Sequence, residues 1–136
     1  MTGFALKIVT PDGVQYDGTA EKIVVRTTTG DVAILAKHIN YVAPLGMGTA
    51  AVTADGKTRY AACIGGMVSV IDSAVTLVPT TFEWSDQIDV SRAQKSEQRA
   101  QSVLEKKDAT DMEILLAKAR LKRALVRRSA ASHRIR

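Results

Sequence analysis

The sequence predicts a β plus α fold: an N-terminal antiparallel β-sandwich over residues 1–84, followed by a C-terminal two-helix αα-hairpin over residues 85–136. Three observations predict it. All nine glycines, all three prolines and all six aromatic residues precede Ser85. Before Ser85 the apolar residues tend to alternate, as in strands; after it they recur at three and four, as in helices. Charge changes at the same place. Residues 1–84 carry six Lys/Arg against seven Asp/Glu, a net of −1, and residues 85–136 carry thirteen against seven, a net of +6, which together give the chain's +5.

Phe4, Leu6 and Ile8 alternate with Ala5, Lys7 and Val9, the period of a strand with one face inward. Pro11-Asp12-Gly13 is a turn, because Pro presets φ and Gly accepts φ > 0. Val14–Tyr16 can pair back on the first strand. Glu21–Thr27 is a β-branched run, broken by Thr28-Thr29-Gly30-Asp31 and resumed over Val32–Leu35. Pro44 and the Gly46/Gly48 pair interrupt the chain again. Thr49–Thr53 and Lys57–Ile64 flank Ala54-Asp55-Gly56, and Asp-Gly suits the primed turns of a tight hairpin. Gly65-Gly66 leads into Met67–Ile71, and Asp72-Ser73 turns into Ala74–Val78. Short strands at near-regular spacing indicate a sandwich or barrel. Adjacent glycines at a strand start point to a bulge or to close backbone packing. A phosphate cradle there lacks the helix that should follow it.

Beyond the seam, Asp89 is an N-cap for a helix over about 89–106. Thr110-Asp111-Met112-Glu113 is a capping box that starts a second helix over about 111–128. Ala93, Ala100, Val103 and Leu104 form the apolar stripe of the first helix; Ile114, Ala117, Leu121, Ala124 and Leu125 form that of the second. The Lys106–Ala109 connection is short, so the helices are antiparallel, and it contains no Gly, so it can straighten at modest cost. Narrow alanine-rich stripes on short helices are marginal in water, and the hairpin must lean on the sandwich, a ligand or another protein.

One cysteine, Cys63 in an apolar run, excludes an intrachain disulfide framework and fits a small buried residue in a reducing compartment. No run reaches the roughly 18 apolar residues of a spanning helix. No basic-then-apolar leader opens the chain, and a cytosolic location is expected. There is no G-x-x-x-x-G-K-[ST], no G-x-G-x-x-G, and no metal-ligand spacing; His38 and His133 are far apart. No nucleophilic triad can be nominated, and the Asp86/Asp89 pair at the seam has no pocket assigned to it. No catalytic residue and no metal site is expected.

The positive signal is arginine at helical spacing. Arg92 and Arg99 share a face of the first helix, and Arg123 and Arg127 share a face of the second. Residues 118–136 contain eight Lys/Arg and no acid. The plainest meaning is a solvated cationic face favourably placed near a helix C-terminus. Two sharper meanings compete with it. Four guanidiniums facing one another across a hairpin repel unless an anion lies between them, so a phosphate group could clamp the hairpin shut. An extended basic helix could instead dock on an acidic protein. A free-standing sandwich adaptor that binds nucleic acid or acidic proteins through its basic hairpin also fits the charge, although no aromatic stacking residue follows Ser85.

Four segments, taken together, resemble a known family along essentially the whole chain. Gly30-Asp31-Val32-Ala33-Ile34-Leu35-Ala36-Lys37-His38 is similar to G-x-x-G-I-L-P-x-H, and Gly65-Gly66-Met67-Val68-Ser69-Val70 to G-G-F-x-E-V. Val75-Thr76-Leu77-Val78 comes next, and Ile88-Asp89-x-x-Arg92-Ala93 matches [IL]-D-x-x-R-A. This is the pattern of the epsilon subunit of the rotary F-type ATP synthase. Ala33, Ala36 and Asn40 depart from it, in the loop region where the family meets the ring of c subunits.

The resemblance implies a ten-stranded sandwich and a non-catalytic, regulatory and coupling subunit in the central stalk. It implies partners: the gamma subunit, the c ring near Asp31 and His38, and the alpha and beta subunits when the hairpin is extended. In that extended state, which inhibits ATP hydrolysis, Lys118, Lys122, Arg123 and Arg127 face beta. No cofactor is required, but ATP is implied as a regulatory ligand of the folded hairpin, on Asp89, Arg92, Ala93, Arg99, Arg123 and Arg127. Nucleic acid is not implied. The implied location is the cytoplasmic face of the cell membrane, peripheral, reached only through the Fo sector.

Overall fold

The computed structural model describes residues 2–133, so the terminal Arg134 and Arg136 counted in the basic tail lie outside the described residues. Ten strands form two five-stranded sheets. Sheet 1 has the order β2 (Gly13–Ala20), β1 (Phe4–Thr10), β9 (Ala74–Val78), β8 (Met67–Ile71), β5 (Tyr41–Pro44). Sheet 2 has the order β10 (Thr81–Trp84), β7 (Lys57–Ile64), β6 (Met47–Ala54), β3 (Lys22–Thr27), β4 (Gly30–Leu35). Neighbouring strands pair antiparallel, with one exception: β1 runs parallel to β9, with Leu6 opposite Val75 and Ile8 opposite Leu77. Two helices come after the strands, α1 (Val90–Glu105) and α2 (Asp111–Ala131).

The alternation read in the sequence is the alternation of burial. Phe4, Leu6, Ile8 and Thr10 of β1 point inward while Ala5 and Lys7 face out. Phe4, Leu6 and Ile8 meet Ile23 and Val25 of β3, Ile34 of β4, Val52 of β6, Val68 and Val70 of β8, and Val75 and Leu77 of β9 in one core between the sheets. At roughly 25 cal/mol per Å² of apolar surface removed from water, this core is the chief stabilising term of the sandwich. The Asp55-Gly56 turn has φ of 53° and 72°, the pair of positive values that a primed hairpin requires. Asp72-Ser73 repeats it with 50° and 66°.

β5 and β10 have four residues each, too few for their alternation to mark them as strands in the sequence. β10 bears most directly on the hairpin, because the chain passes from it into the helices. Phe82 and Trp84 enter the core while Thr81 and Glu83 face out. Trp84 closes the end of the sandwich: its ring lies edge-on to Phe82 with centroids 4.9 Å apart, and Arg59 Cζ sits 3.8 Å from its centroid. Its Nε1–H donates to the Gln15 carbonyl at 3.4 Å, which ties sheet 2 to β2 of sheet 1.

A second, smaller core lies outside the sandwich. Ala62 of β7 packs with Ile88, Ala130 and Ala131, flanked by Val90 and Val126. This contact explains why α2 continues to Ala131, past the expected end near 128: its last turn buries two alanines against β7. No helix among the described residues is long and apolar enough to cross a membrane.

Burial pushes the Cys63 thiol up to about 12 from its ordinary 9.0. Between these values the folded chain keeps a proton that the unfolded chain releases, so stability falls as pH rises from 9.0 towards about 12. The same burial predicts inertness. At pH 8 a thiol reagent such as iodoacetamide should leave Cys63 unmodified in the native protein and alkylate it fully in denaturant. Rapid labelling of native protein would show that the core opens around β7.

A candidate anion site at the foot of the helical hairpin

The chain leaves β10 through a short 3-10 turn, Ser85–Gln87, and Ile88 is extended and buried. Asp89 then caps α1: its Oδ1 accepts the Arg92 backbone N–H at 3.0 Å. Removing such a cap typically costs about 1 kcal/mol. The cap fixes where the helix begins, and thereby where Arg92 and Ala93 face. At the start of α2 the capping box is complete. Thr110 Oγ1 accepts the Glu113 N–H at 3.2 Å, and Glu113 Oε1 accepts the Thr110 N–H at 3.4 Å.

α1 and α2 pack antiparallel along a seam of small residues, with Ala93, Ala100, Ala117 and Ala124 all buried. The expected stripe is right at its alanines. Leu125 differs: it is exposed, on the edge of a cleft between α2 and sheet 2. Met112, Leu115 and Leu116 are exposed as well.

Alanine lets the helices approach closely, and the side chains flanking the seam then form the walls of two clefts. The first, of about 510 Å³, lies between β10 and the hairpin and is lined by Glu83, Asp89, Arg92, Ala93, Ser96 and Arg127. Asp12, Thr80, Thr81, Phe82 and Gln87 complete its rim. The second, of about 480 Å³, continues between the helices and is lined by Ser96, Arg99, Ala100, Glu113, Leu116 and Arg120, among others.

The structure therefore brings Asp89, Arg92, Ala93 and Arg127 around one cleft, and sets Arg99 in the next one along. Arg123 is half-buried, four residues from Arg127 and three from Arg120, and so lies on their helical ridge. Lys118 and Lys122 do not join them. Lys122 turns the other way, into the clefts between α2 and sheet 2, where it shares walls with Arg26, Met47 and Thr49.

Arg127 Nε is 2.6 Å from Glu83 Oε1, across half-exposed surface. Arg128 pairs with Glu97 on α1 at 2.5 Å. Together they fasten α2 to β10 and to α1. No ion pair reaches Arg92, Arg99, Arg120 or Arg123 among the described residues. The site thus presents unneutralised guanidiniums, and planar, always-charged forks of donors suit phosphate and carboxylate oxygens. Carboxylates gather at its foot, and the upper cleft holds Glu113, which is engaged in the Thr110 capping box. No cluster of His, Cys, Asp or Glu able to hold a metal occurs among the described residues.

Asp31 and His38 are not brought together. Asp31 sits at the β3–β4 turn and pairs with Arg26, Nε to Oδ1 at 2.9 Å. That guanidinium holds the Asp31 carboxyl below its ordinary value. His38 lies beyond the other end of β4, its Nδ1 2.8 Å from the Ile39 carbonyl and its ring edge-on to Tyr41. Six residues of strand separate the two ends, on the order of 20 Å at about 3.3 Å per residue.

Sequence reasoning does not single out Glu83 or Arg120. A signal for Glu83 exists: the alternation Thr81-Phe82-Glu83-Trp84 turns its carboxylate away from the core. Arg120 continues the three-and-four spacing back from Arg123 and Arg127.

Residues 3–85 match the beta-sandwich domain of the ATP synthase delta/epsilon chain, and residues 86–132 match the long alpha-helix domain of the same chain. The ATP synthase epsilon chain of Ruminococcus albus is 41% identical over 133 residues, covering 97% of this chain and 98% of that one. The epsilon chain of Bacillus licheniformis is 40% identical over 131 residues, covering 96% and 99%. Among solved structures, a chain of the Euglena gracilis mitochondrial ATP synthase complex of OSCP, F1 and c-ring superposes with a TM-score of 0.84 at 21% identity, covering 98% of this chain and 83% of that one. With both halves matched in order and relatives near 40% identity over almost the full length, the chain belongs to the ATP synthase delta/epsilon family, as a bacterial-type epsilon chain.

Proposed function

We propose that the chain is a non-catalytic coupling and regulatory subunit of an ATP synthase central stalk, and that the cleft between β10 and the hairpin binds ATP as a regulatory ligand. One observation carries the second part: Arg92 of α1 and Arg127 of α2 line the same cleft as Asp89 and Ala93. A phosphate chain there draws cations from both helices onto one anion and offsets their mutual repulsion. Arg99 and Arg123 continue the cationic wall. Asp89 supplies an acceptor for the ribose or base edge.

The switch works by competition. Arg127 is held by Glu83 and by the nucleotide only while the hairpin lies folded on the sandwich. In the extended state Ser85–Ala93 acts as the hinge. Ala130 and Ala131 leave Ala62, and Lys118, Lys122, Arg123 and Arg127 become available to an acidic segment of the beta subunit. Arg123 and Arg127 cannot serve ATP and beta at once, so ATP favours the folded state by its differential affinity. Hydrolysis by the assembled enzyme is inhibited when the hairpin is extended.

The sandwich supplies the remaining contacts. Val42, Met67, Ile71 and Val78 are exposed on the outer face of sheet 1, with Met67 opposite Val78 across the β8–β9 pair. An exposed apolar patch of this kind suits a permanent protein partner, and in this reading that partner is gamma. Asp31 and His38 face the c ring from separate ends of β4. The subunit is then peripheral, at the cytoplasmic face of the membrane through the Fo sector.

Titration calorimetry of the full chain tests the nucleotide site. ATP should bind with measurable heat. Arg92→Ala removes a charge-assisted contact worth about 1.5–3 kcal/mol, which weakens binding by roughly ten- to a hundredfold. No heat at millimolar ATP, or unchanged affinity in Arg92→Ala, overturns the reading.

A further inference from the structure

The two clefts of the hairpin are one groove. They share Ser96, and the residues along each wall recur at the spacing of a single helical ridge. On α1 the ridge is Asp89, Arg92, Ser96, Arg99 and Val103; on α2 the lining residues run the opposite way as Arg127, Arg120, Leu116 and Glu113, and Arg123, which lines neither cleft, falls between Arg127 and Arg120 by spacing alone. Arg92 and Arg99 are seven residues apart, as are Arg127 and Arg120, so each pair is separated by about 10.5 Å along its helix axis. In antiparallel packing this sets Arg99 opposite Arg120, two turns above the cleft where Arg92 and Arg127 meet.

The groove has a chemical direction. At its foot are the acceptors Glu83, Asp89 and Gln87, suited to hydroxyl and amine donors. At its upper end the sole carboxylate is Glu113, and its Oε1 is engaged by Thr110, accepting from the backbone N–H at 3.4 Å and from Oγ1 at 3.0 Å. Arg99 and Arg120 are left without an ion pair among the described residues. Two like charges opposed across a groove, with the nearest acid turned to a helix cap, form a site for an anion.

Resting on the proposed nucleotide site, we propose that Arg120 closes with Arg99 on the terminal phosphate of the bound nucleotide and sets the preference for a triphosphate over a diphosphate. The sugar and base lie at the foot of the groove, and the phosphates run upward between the ridges. A diphosphate engages the lower arginines and stops short of Arg120. Because Arg120 is exposed and outside the alanine seam, its replacement leaves the packing intact.

The test is calorimetry of the full chain with ATP and with ADP, for wild type, Arg120→Gln and Arg120→Lys. The expected result is a loss of about tenfold or more for ATP in Arg120→Gln, with ADP affinity held within about twofold, so that the ATP/ADP ratio collapses. Arg120→Lys should recover part of the ATP affinity, because it restores the charge without the planar fork. If wild type binds ATP but Arg120→Gln weakens ATP and ADP equally, or neither, Arg120 does not read the terminal phosphate and the nucleotide site itself stands. If wild type binds neither nucleotide, the nucleotide site and this refinement of it both fall.

Discussion

Gly66→Ala is expected to lower the stability of the sandwich by about 2–5 kcal/mol, a large part of the 5–15 kcal/mol typical of a folded domain. Gly65 and Gly66 carry the chain from β7 in sheet 2 to β8 in sheet 1, with φ of 69° and 89°. A left-handed conformation costs an L-residue roughly 1–2 kcal/mol. At Gly66 the larger obstacle is space. A Cβ there would stand 2.0 Å from the Val78 carbonyl oxygen and 2.6 Å from Pro79 Cα. Both are backbone atoms, and Pro79 is itself buried, so no flexible tip can yield. The peptide is also tied across the sheets: the Leu45 N–H donates to the Gly66 carbonyl at 2.8 Å, and the Gly65 N–H to the Gly46 carbonyl at 3.0 Å. The thermal midpoint should fall by on the order of 10–20 °C. Gly30→Ala is the control. It has φ of 132° with nothing within 4 Å, and should show the conformational cost alone. Equal melting of Gly66→Ala and wild type would mean that the crossover has room to relax around the added methyl.

Much of this architecture is legible in the sequence because its determinants are local. The inward Phe4, Leu6 and Ile8, the Asp55-Gly56 turn and the Thr110–Glu113 capping box each act within a few residues. What escapes sequence reading depends on distant partners. β10 has four residues, and its strand character comes from pairing Phe82 with Cys63 and Trp84 with Ala61. The parallel β1–β9 pair joins Leu6 to Val75, and no local pattern distinguishes it from an antiparallel neighbour. The end of α2 escapes for the same reason, since Ala130 and Ala131 stay helical by burying against Ala62. In the site, spacing alone places Arg92 and Arg99 on one face and Arg123 and Arg127 on another. It cannot show that Arg127 reaches Glu83, 44 residues away, or that Lys122 turns to the sandwich while Arg127 turns to the groove. Nor can it show that Asp31 and His38 lie at opposite ends of one strand.

Ala124→Leu should open the hairpin while leaving the sandwich folded. Ala124 is fully buried in the seam, and none of the side chains of the sandwich core touches that seam in its own cluster. Alanine and leucine have nearly equal helix propensity, so α2 itself is not penalised. The added carbons have no room between α1 and α2, and overpacking of this kind costs about 1–3 kcal/mol. The hairpin has little to set against it: the small core around Ala62 and Ile88, and the ion pairs Arg127–Glu83 and Arg128–Glu97. Trypsin should therefore cut the native protein within residues 92–128 about tenfold faster or more, while the thermal midpoint of the sandwich is unchanged. Unchanged cleavage would show slack in the seam. The same variant reads the switch quantitatively. Cleavage tracks the open fraction, whereas the apparent affinity for ATP tracks the closed fraction. If affinity falls by about tenfold while cleavage barely rises, the hairpin is already mostly open before ATP binds. If cleavage rises tenfold and affinity barely moves, the closed state dominates unaided, and the beta subunit rather than the loss of ATP must supply the energy that extends the hairpin.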